Sequence, residues 1–212
     1  MTSEVIFKSP KKHGRIMILL SGRGSNFRAI HEAILDERID AEIALVFSNK
    51  EEAPGLAAAR DRGLSTMALN PKLFVDKNEY DRRIVEEAEA RDIDLICLAG
   101  YMKVLTPYFC NAYKNRILNI HPALLPAFPG LHVQRQAIDW GVRFSGCTVH
   151  FVAADVDMGP IVLQAVVPVL PNDTEDDLSA RILIEEHKIF PEAVKLFFEG
   201  RLEVRGRRVF IL

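Results

Sequence analysis

The sequence predicts an α/β fold, an open, mostly parallel sheet with helices on both faces and an antiparallel C-terminal portion. Three observations predict it. Short, continuously apolar runs alternate with amphipathic helical runs through the first half, the pattern of strand–helix–strand units. The apolar runs stop at turn residues, Ser21-Gly22 and Ala99-Gly100, as buried parallel strands do. The second half carries instead two long extended runs framing a turn.

Each element follows from its residues. Ile16–Leu20 reads as the first buried strand, and Phe27, Ile30 and Ile34 recur behind it at helical spacing. Ser25 or Asn26 is placed to cap that helix. Ile43–Phe47 is a second strand. Pro54 to Arg62 is a short helix stopped by Gly63. Asn78 to Arg91 is an amphipathic helix carrying Tyr80, Ile84 and Ala88. Asp94–Leu98 and Ile117–Ile120 are the third and fourth strands. Cys147–Val152 alternates, Asp155–Pro160 turns, and Ile161–Pro168 is extended again. Thr174-x-x-Asp177 resembles a capping box opening a long helix, in which Pro191 should force a kink or a restart. Leu202–Leu212, broken at Arg205-Gly206, reads as a terminal hairpin. Met1 to Gly14, with Lys8, Lys11 and Lys12, reads as a flexible N-terminal extension. With no linker or repeat beyond it, residues 15–212 read as one domain, Rossmann-like in its first half.

Composition narrows the function. Of 212 residues, 49% are hydrophobic and 26% charged, as in ordinary globular proteins. A formal net charge of -2 provides no field to attract nucleic acid. Ile16–Leu20 is too short for a membrane span or a signal-peptide core. The three cysteines, Cys97, Cys110 and Cys147, share no metal-ligand spacing, so no metal is expected, and an odd count points to a reducing, cytoplasmic setting. A monomer or a homodimer is expected.

Two constellations carry chemistry. Ser21-Gly22-Arg23-Gly24-Ser25-Asn26 joins a strand to a helix, whose free N–H groups and partial positive charge suit a phosphate. A dinucleotide fingerprint would need glycine where Phe27 stands and an acid where the second strand ends in Ser48-Asn49-Lys50. A single phosphate is the preferred ligand, with a ligand-free turn as the alternative. The second constellation is Asn119-Ile120-His121-Pro122. Alternation puts Asn119 and His121 on one face near a strand's carboxyl end, where such sheets place their chemistry, and sends Leu118 and Ile120 into the core. Asp157, in the turn Asp155–Pro160, is the candidate acid, and His150 adjoins it in the preceding strand. Asp155 and Asp157 could equally be turn formers. His13, His31 and His132 are read as structural. Cys147 alternates with Val149 and Phe151 on an apolar face, which argues against a nucleophile.

These segments together resemble the folate-dependent formyltransferase family, and within it the short bacterial glycinamide ribonucleotide formyltransferases. The matching pieces are SGRGSN, VFSNK, LAGYMKVL, ILNIHPALLPAFPGLHVQRQA, CTVHFV, DVDMGPIVLQAVVPV and EEHKIFPEAV, in the order the family shows from about Arg15 to the C-terminus. The resemblance implies the formyltransferase fold and 10-formyltetrahydrofolate as cosubstrate. It implies Asn119, His121 and Asp157 as catalytic residues. Gly24, Ser25 and Asn26 would take the ribonucleotide phosphate, and Glu186 would lie on the substrate side. Met102, Lys103, Val104, Leu105 and Val156, with Asn119, would line the pterin pocket. Lys77 would lie near the folate tail, where some relatives place Arg. Leu183 stands near a position where some relatives place a polar residue facing the phosphate.

The implied reaction is formyl transfer to the primary amine of glycinamide ribonucleotide in purine synthesis. Asn119 and protonated His121 would donate to the oxyanion of a tetrahedral intermediate. Asp157 would orient His121 and favour its charged form. The alternatives within the family are a formyltetrahydrofolate hydrolase and a formyltransferase acting on another amine. Outside it stand an NADP-dependent oxidoreductase and a non-enzymatic phosphate-binding module.

Overall fold

Alternation along one strand decides the architecture. In β2 (Gly14–Leu20), Ile16, Ile18 and Leu20 pack into one hydrophobic cluster while Met17 and Leu19 pack into another, so the strand is buried on both faces. The computed structural model describes residues 4–5 and 13–212. The two-residue β1 (Glu4–Val5) precedes β2, which is followed by α1 (Ser25–Leu35), β3 (Ala41–Ser48), α2 (Pro54–Arg60), β4 (Thr66–Ala68) and a 3-10 turn at Pro71–Leu73. Next come α3 (Lys77–Glu89), β5 (Leu95–Leu98), α4 (Pro107–Ala112), β6 (Ile117–His121), α5 (Val133–Asp139), β7 (Phe144–Phe151) and β8 (Ile161–Pro168). The long helix α6 (Glu175–Phe198) leads to β9 (Leu202–Arg205) and β10 (Arg208–Ile211).

The described strands form one sheet in the order β1-β9-β10-β8-β7-β6-β5-β2-β3-β4. From β4 to β6 every pairing is parallel. β6–β7 and β7–β8 are antiparallel, as is the terminal hairpin β9–β10. Helices α1, α2, α5 and α6 cover one face and α3 and α4 the other. Chain direction across the sheet reverses at β2, which pairs with β3 on one side and β5 on the other. That switch point opens a crevice beyond the strands' carboxyl ends.

Four sequence expectations need correction or qualification. Neither Ser25 nor Asn26 caps α1; both lie inside it, and the cap is Gly24 at φ 71, with no side-chain hydrogen bond. A left-handed residue turns the chain into the helix there, a conformation glycine adopts without strain. Pro191 does not restart α6, which runs through it without a break. The proline ring is buried, so packing of the apolar face offsets the lost backbone bond. Helices α4 and α5 and strand β4 were not foreseen. The extension expected over residues 1–14 lies mostly outside the described residues; within it, Glu4–Val5 pair antiparallel with Glu203–Val204, and Gly14 opens β2. The Thr174–Asp177 capping box forms as expected, both reciprocal bonds being present.

Candidate active site

β6 delivers Asn119 and His121 to one cavity for the reason its sequence suggests: Leu118 and Ile120 are held in the core, so the intervening side chains face away from it. The cavity measures about 440 Å³, within the range that holds small ligands. Leu98, Met102, Val104, Leu105 and Val152 give it apolar walls. Asn119, His121, His150 and Asp157 supply its polar side.

The antiparallel pairing of β6 with β7 sets Asn119 opposite His150. The Asn119 amide nitrogen lies 3.0 Å from His150 Nε2, and His150 Nδ1 lies 2.9 Å from the Phe151 carbonyl. A carbonyl only accepts, so His150 carries its proton on Nδ1 and receives the Asn119 N–H on Nε2. By the same argument His121 donates from Nε2 to the Phe128 carbonyl at 2.8 Å. Nδ1 of His121 is left for the cavity, 3.4 Å from Asp157 Oδ2. The other Asp157 oxygen lies 3.6 Å from His150 Nε2.

Asp157 is no ordinary turn former. It sits at φ 55, and the Gly130 N–H donates to its carboxylate at 2.8 Å. Gly159 makes this placement possible, because a Cβ there would overlap the Phe151 carbonyl oxygen; only glycine lets the turn press against the end of β7. Burial raises the Asp157 pKa, but the bond from the Gly130 N–H and the nearby His150 and His121 rings outweigh it and hold the carboxyl below its usual range. At His121 burial and the Asp157 charge pull in opposite directions. Burial lowers its pKa and outweighs the Phe128 bond and the Asp157 charge, so the free site favours a neutral ring. Asp157 opposes that shift without reversing it.

The loop between β6 and α5 is fastened from beneath. The fully buried Thr148 hydroxyl donates to the Ala123 carbonyl at 2.7 Å and accepts from the Leu125 N–H at 3.1 Å. Gln164 donates to the Leu125 carbonyl at 3.0 Å. This loop carries both the Phe128 carbonyl and the Gly130 N–H. Sequence reading passed over Thr148 and Gln164, although β-strand alternation puts both on the loop's side of the sheet.

The glycine loop is built differently. Gly24, Ser25, Asn26 and Glu186 do not line the cavity. Asn26 donates from its amide to Glu186 at 2.6 Å, and its Oδ1 has no partner among the described residues. Burial raises the Glu186 pKa, offset only in part by Asn26.

A family model described as formyl transferase matches residues 14–194. The chain belongs to the formyl transferase family. It is 44% identical to the phosphoribosylglycinamide formyltransferase of Escherichia coli (strain K12), over 92% of both chains. It is 42% identical to the trifunctional purine biosynthetic protein adenosine-3 of Homo sapiens, matching 93% of this chain but only 20% of that longer protein. Among solved structures, glycinamide ribonucleotide transformylase 1 from Symbiobacterium toebii superposes with a TM-score of 0.93 at 50% identity, covering 95% of each chain.

The remaining expected residues lie in different places relative to the cavity. Met102, Lys103, Val104, Leu105 and Val156 line it. Lys77 does not; it borders a smaller pocket of about 350 Å³ that shares Lys103 and Val104 with the first. Leu183 is half-buried on α6. His132, read as structural, also lines the cavity, and it carries the left-handed conformation that starts α5. Cys147 is fully buried with Val149 and Phe151, and its thiol is pushed up to about 12 by burial, which disqualifies it as a nucleophile. Among the described residues, no cluster of His, Cys, Asp and Glu is placed to hold a metal ion, and no helix is long and apolar enough to cross a membrane.

Proposed function

We propose that this formyl transferase moves the formyl group of 10-formyltetrahydrofolate to the primary amine of glycinamide ribonucleotide, in purine biosynthesis in the cytoplasm. The observation that carries the reading is the cluster of Asn119, His121, His150 and Asp157 on one side of a cavity whose other walls are mostly apolar. A flat, largely apolar ring system fits such walls, with its reacting group against the polar side.

The residues' roles follow from which hydrogen-bonding positions are free. Asn119 uses one amide hydrogen on His150, leaving the second for the oxygen that becomes negative when the amine attacks the formyl carbon. His121 begins neutral, with its Nδ1 lone pair facing Asp157. It accepts the proton shed by the attacking amine. The resulting imidazolium lies between the Phe128 carbonyl and the Asp157 carboxylate, and it donates from Nδ1 towards the oxyanion and then to the departing nitrogen. Asp157 stabilises that charge when it forms rather than beforehand. Gly24, Ser25 and Asn26 receive the ribonucleotide phosphate at the start of α1, Glu186 contacts the same substrate, and Lys77 faces the acidic tail of the donor.

The deciding experiment mixes the protein with 10-formyltetrahydrofolate and glycinamide ribonucleotide and follows absorbance of the deformylated folate. Turnover that requires the ribonucleotide is the expected result. Equal turnover without it would assign a hydrolase, and none in either mixture would sink the reading.

A further inference from the structure

Residues 101–105 belong to no helix or strand, yet they form one wall of the cavity. A wall without a backbone ladder keeps its shape through bonds supplied from elsewhere. Two buried side chains outside the lining of that cavity supply them, one of which, Asp81, borders the smaller pocket beside Lys77. At one end, the Met102 N–H donates to the Ser21 hydroxyl oxygen at 2.8 Å, and that hydroxyl donates to Asn49 Oδ1 at 2.5 Å. At the other end, Asp81 accepts the Thr106 N–H at 2.6 Å and is also hydrogen-bonded by the Thr106 side chain. Ser21 is 6% exposed and Asp81 2%. Between them, the Tyr101 hydroxyl meets that of Tyr80 at 3.2 Å. Ser21 stands at the end of β2 and Asp81 on α3, so two separate elements suspend the wall.

Resting on the proposed function, we infer that Ser21 and Asp81 are positioning residues for the formyl donor. They hold the backbone of residues 102–105 at a fixed distance from Asn119, so the donor meets a preformed wall and needs no loop ordering on binding. Neither side chain touches the reacting atoms. Losing either anchor loosens the wall and weakens donor binding while the chemical step is spared.

The test is steady-state kinetics of Ser21→Ala, Asp81→Ala and Asp81→Asn, with folic acid binding by calorimetry beside it. Both alanine variants raise the Michaelis constant for the formyl donor about tenfold, the scale of one lost buried hydrogen bond. The constant for the ribonucleotide and kcat stay within about threefold. Asp81→Asn keeps an acceptor oxygen for the Thr106 N–H and restores donor binding. Folic acid affinity falls in parallel with the donor constant. The inference is overturned if either folded alanine variant keeps the wild-type donor constant, or if both substrate constants rise together as the melting temperature falls. If the wild-type protein neither transfers formyl nor binds folic acid, the functional reading falls and takes the inference with it; an active wild type with unchanged variants sinks the inference alone.

Discussion

The cavity beside β6 and β7 and the glycine loop after β2 are opposite solutions to the same problem. In the cavity, ring and amide positions are fixed by bonds to fixed partners, His121 to the Phe128 carbonyl and His150 to the Phe151 carbonyl, which leaves His121 Nδ1 and one Asn119 hydrogen for a ligand. At the glycine loop Asn26 bonds Glu186 instead, and neither residue lines that cavity. The difference teaches that polar residues alone do not make a preorganised site. A site is ready when its side chains are held by groups the ligand does not need.

The sharpest way to break this contrast is to remove a preorganised group. His121→Ala should lower kcat by about 10²–10⁴, the range for a positioned proton-transfer group, with the fold intact by circular dichroism. Wild-type turnover in that variant would remove His121 from the chemistry. Asn119→Ala should cost slightly less, about 10²–10³ in kcat, as expected for one oxyanion donor. It also frees His150 Nε2, so if the loss appears in the substrate constants with kcat preserved, Asn119 is a binding residue only.

How much of this was legible beforehand depends on whether the deciding contact is local. The strands read well because each apolar run signals its own burial. Asn119 and His121 were found because strand period alone puts them on one face. Asp157 could be nominated but not placed, since its position depends on the glycine at 159 fitting against the Phe151 carbonyl, which is a contact between elements. The net direction of the His121 shift is hidden from the sequence for the same reason. A neighbouring acid is visible in sequence; the burial that outweighs it is not. Helix α4 escaped because it is six residues long, although Thr106-Pro107 supplied a cap and a first-turn proline. His132 escaped because a left-handed residue carries no periodic signal.

A smaller effect is expected at the glycine loop. Glu186→Gln preserves an oxygen for Asn26 and should raise the ribonucleotide constant about tenfold while sparing kcat. Its stability signature is more specific. A carboxyl whose pKa is raised on folding contributes stability below its unfolded value, and that contribution is lost as pH rises through the folded value. Urea unfolding at pH 5 and pH 8 should therefore show the variant gaining on the wild type at the higher pH. A gap that is the same at both values would mean that Glu186 is not buried as an acid.

The subtlest prediction concerns a single proton. Burial holds the folded His121 pKa below 6.5, so the ring is neutral at pH 7, and Asp157 is the charge that keeps it from falling further. Imidazole resonances followed by NMR should titrate below 6.5 in the wild type and lower still in Asp157→Asn, because the removed carboxylate was raising the value. The direction matters for the mechanism. A ring that is neutral at rest takes its proton from the attacking amine and becomes a charged donor only as the oxyanion appears, so Asp157 acts on the transition state and little on the resting enzyme. Titration above 6.5 would reverse that order. His121 would then be charged before substrate arrives, Asp157 would act on the resting enzyme, and the cavity would be preorganised in charge as well as in geometry.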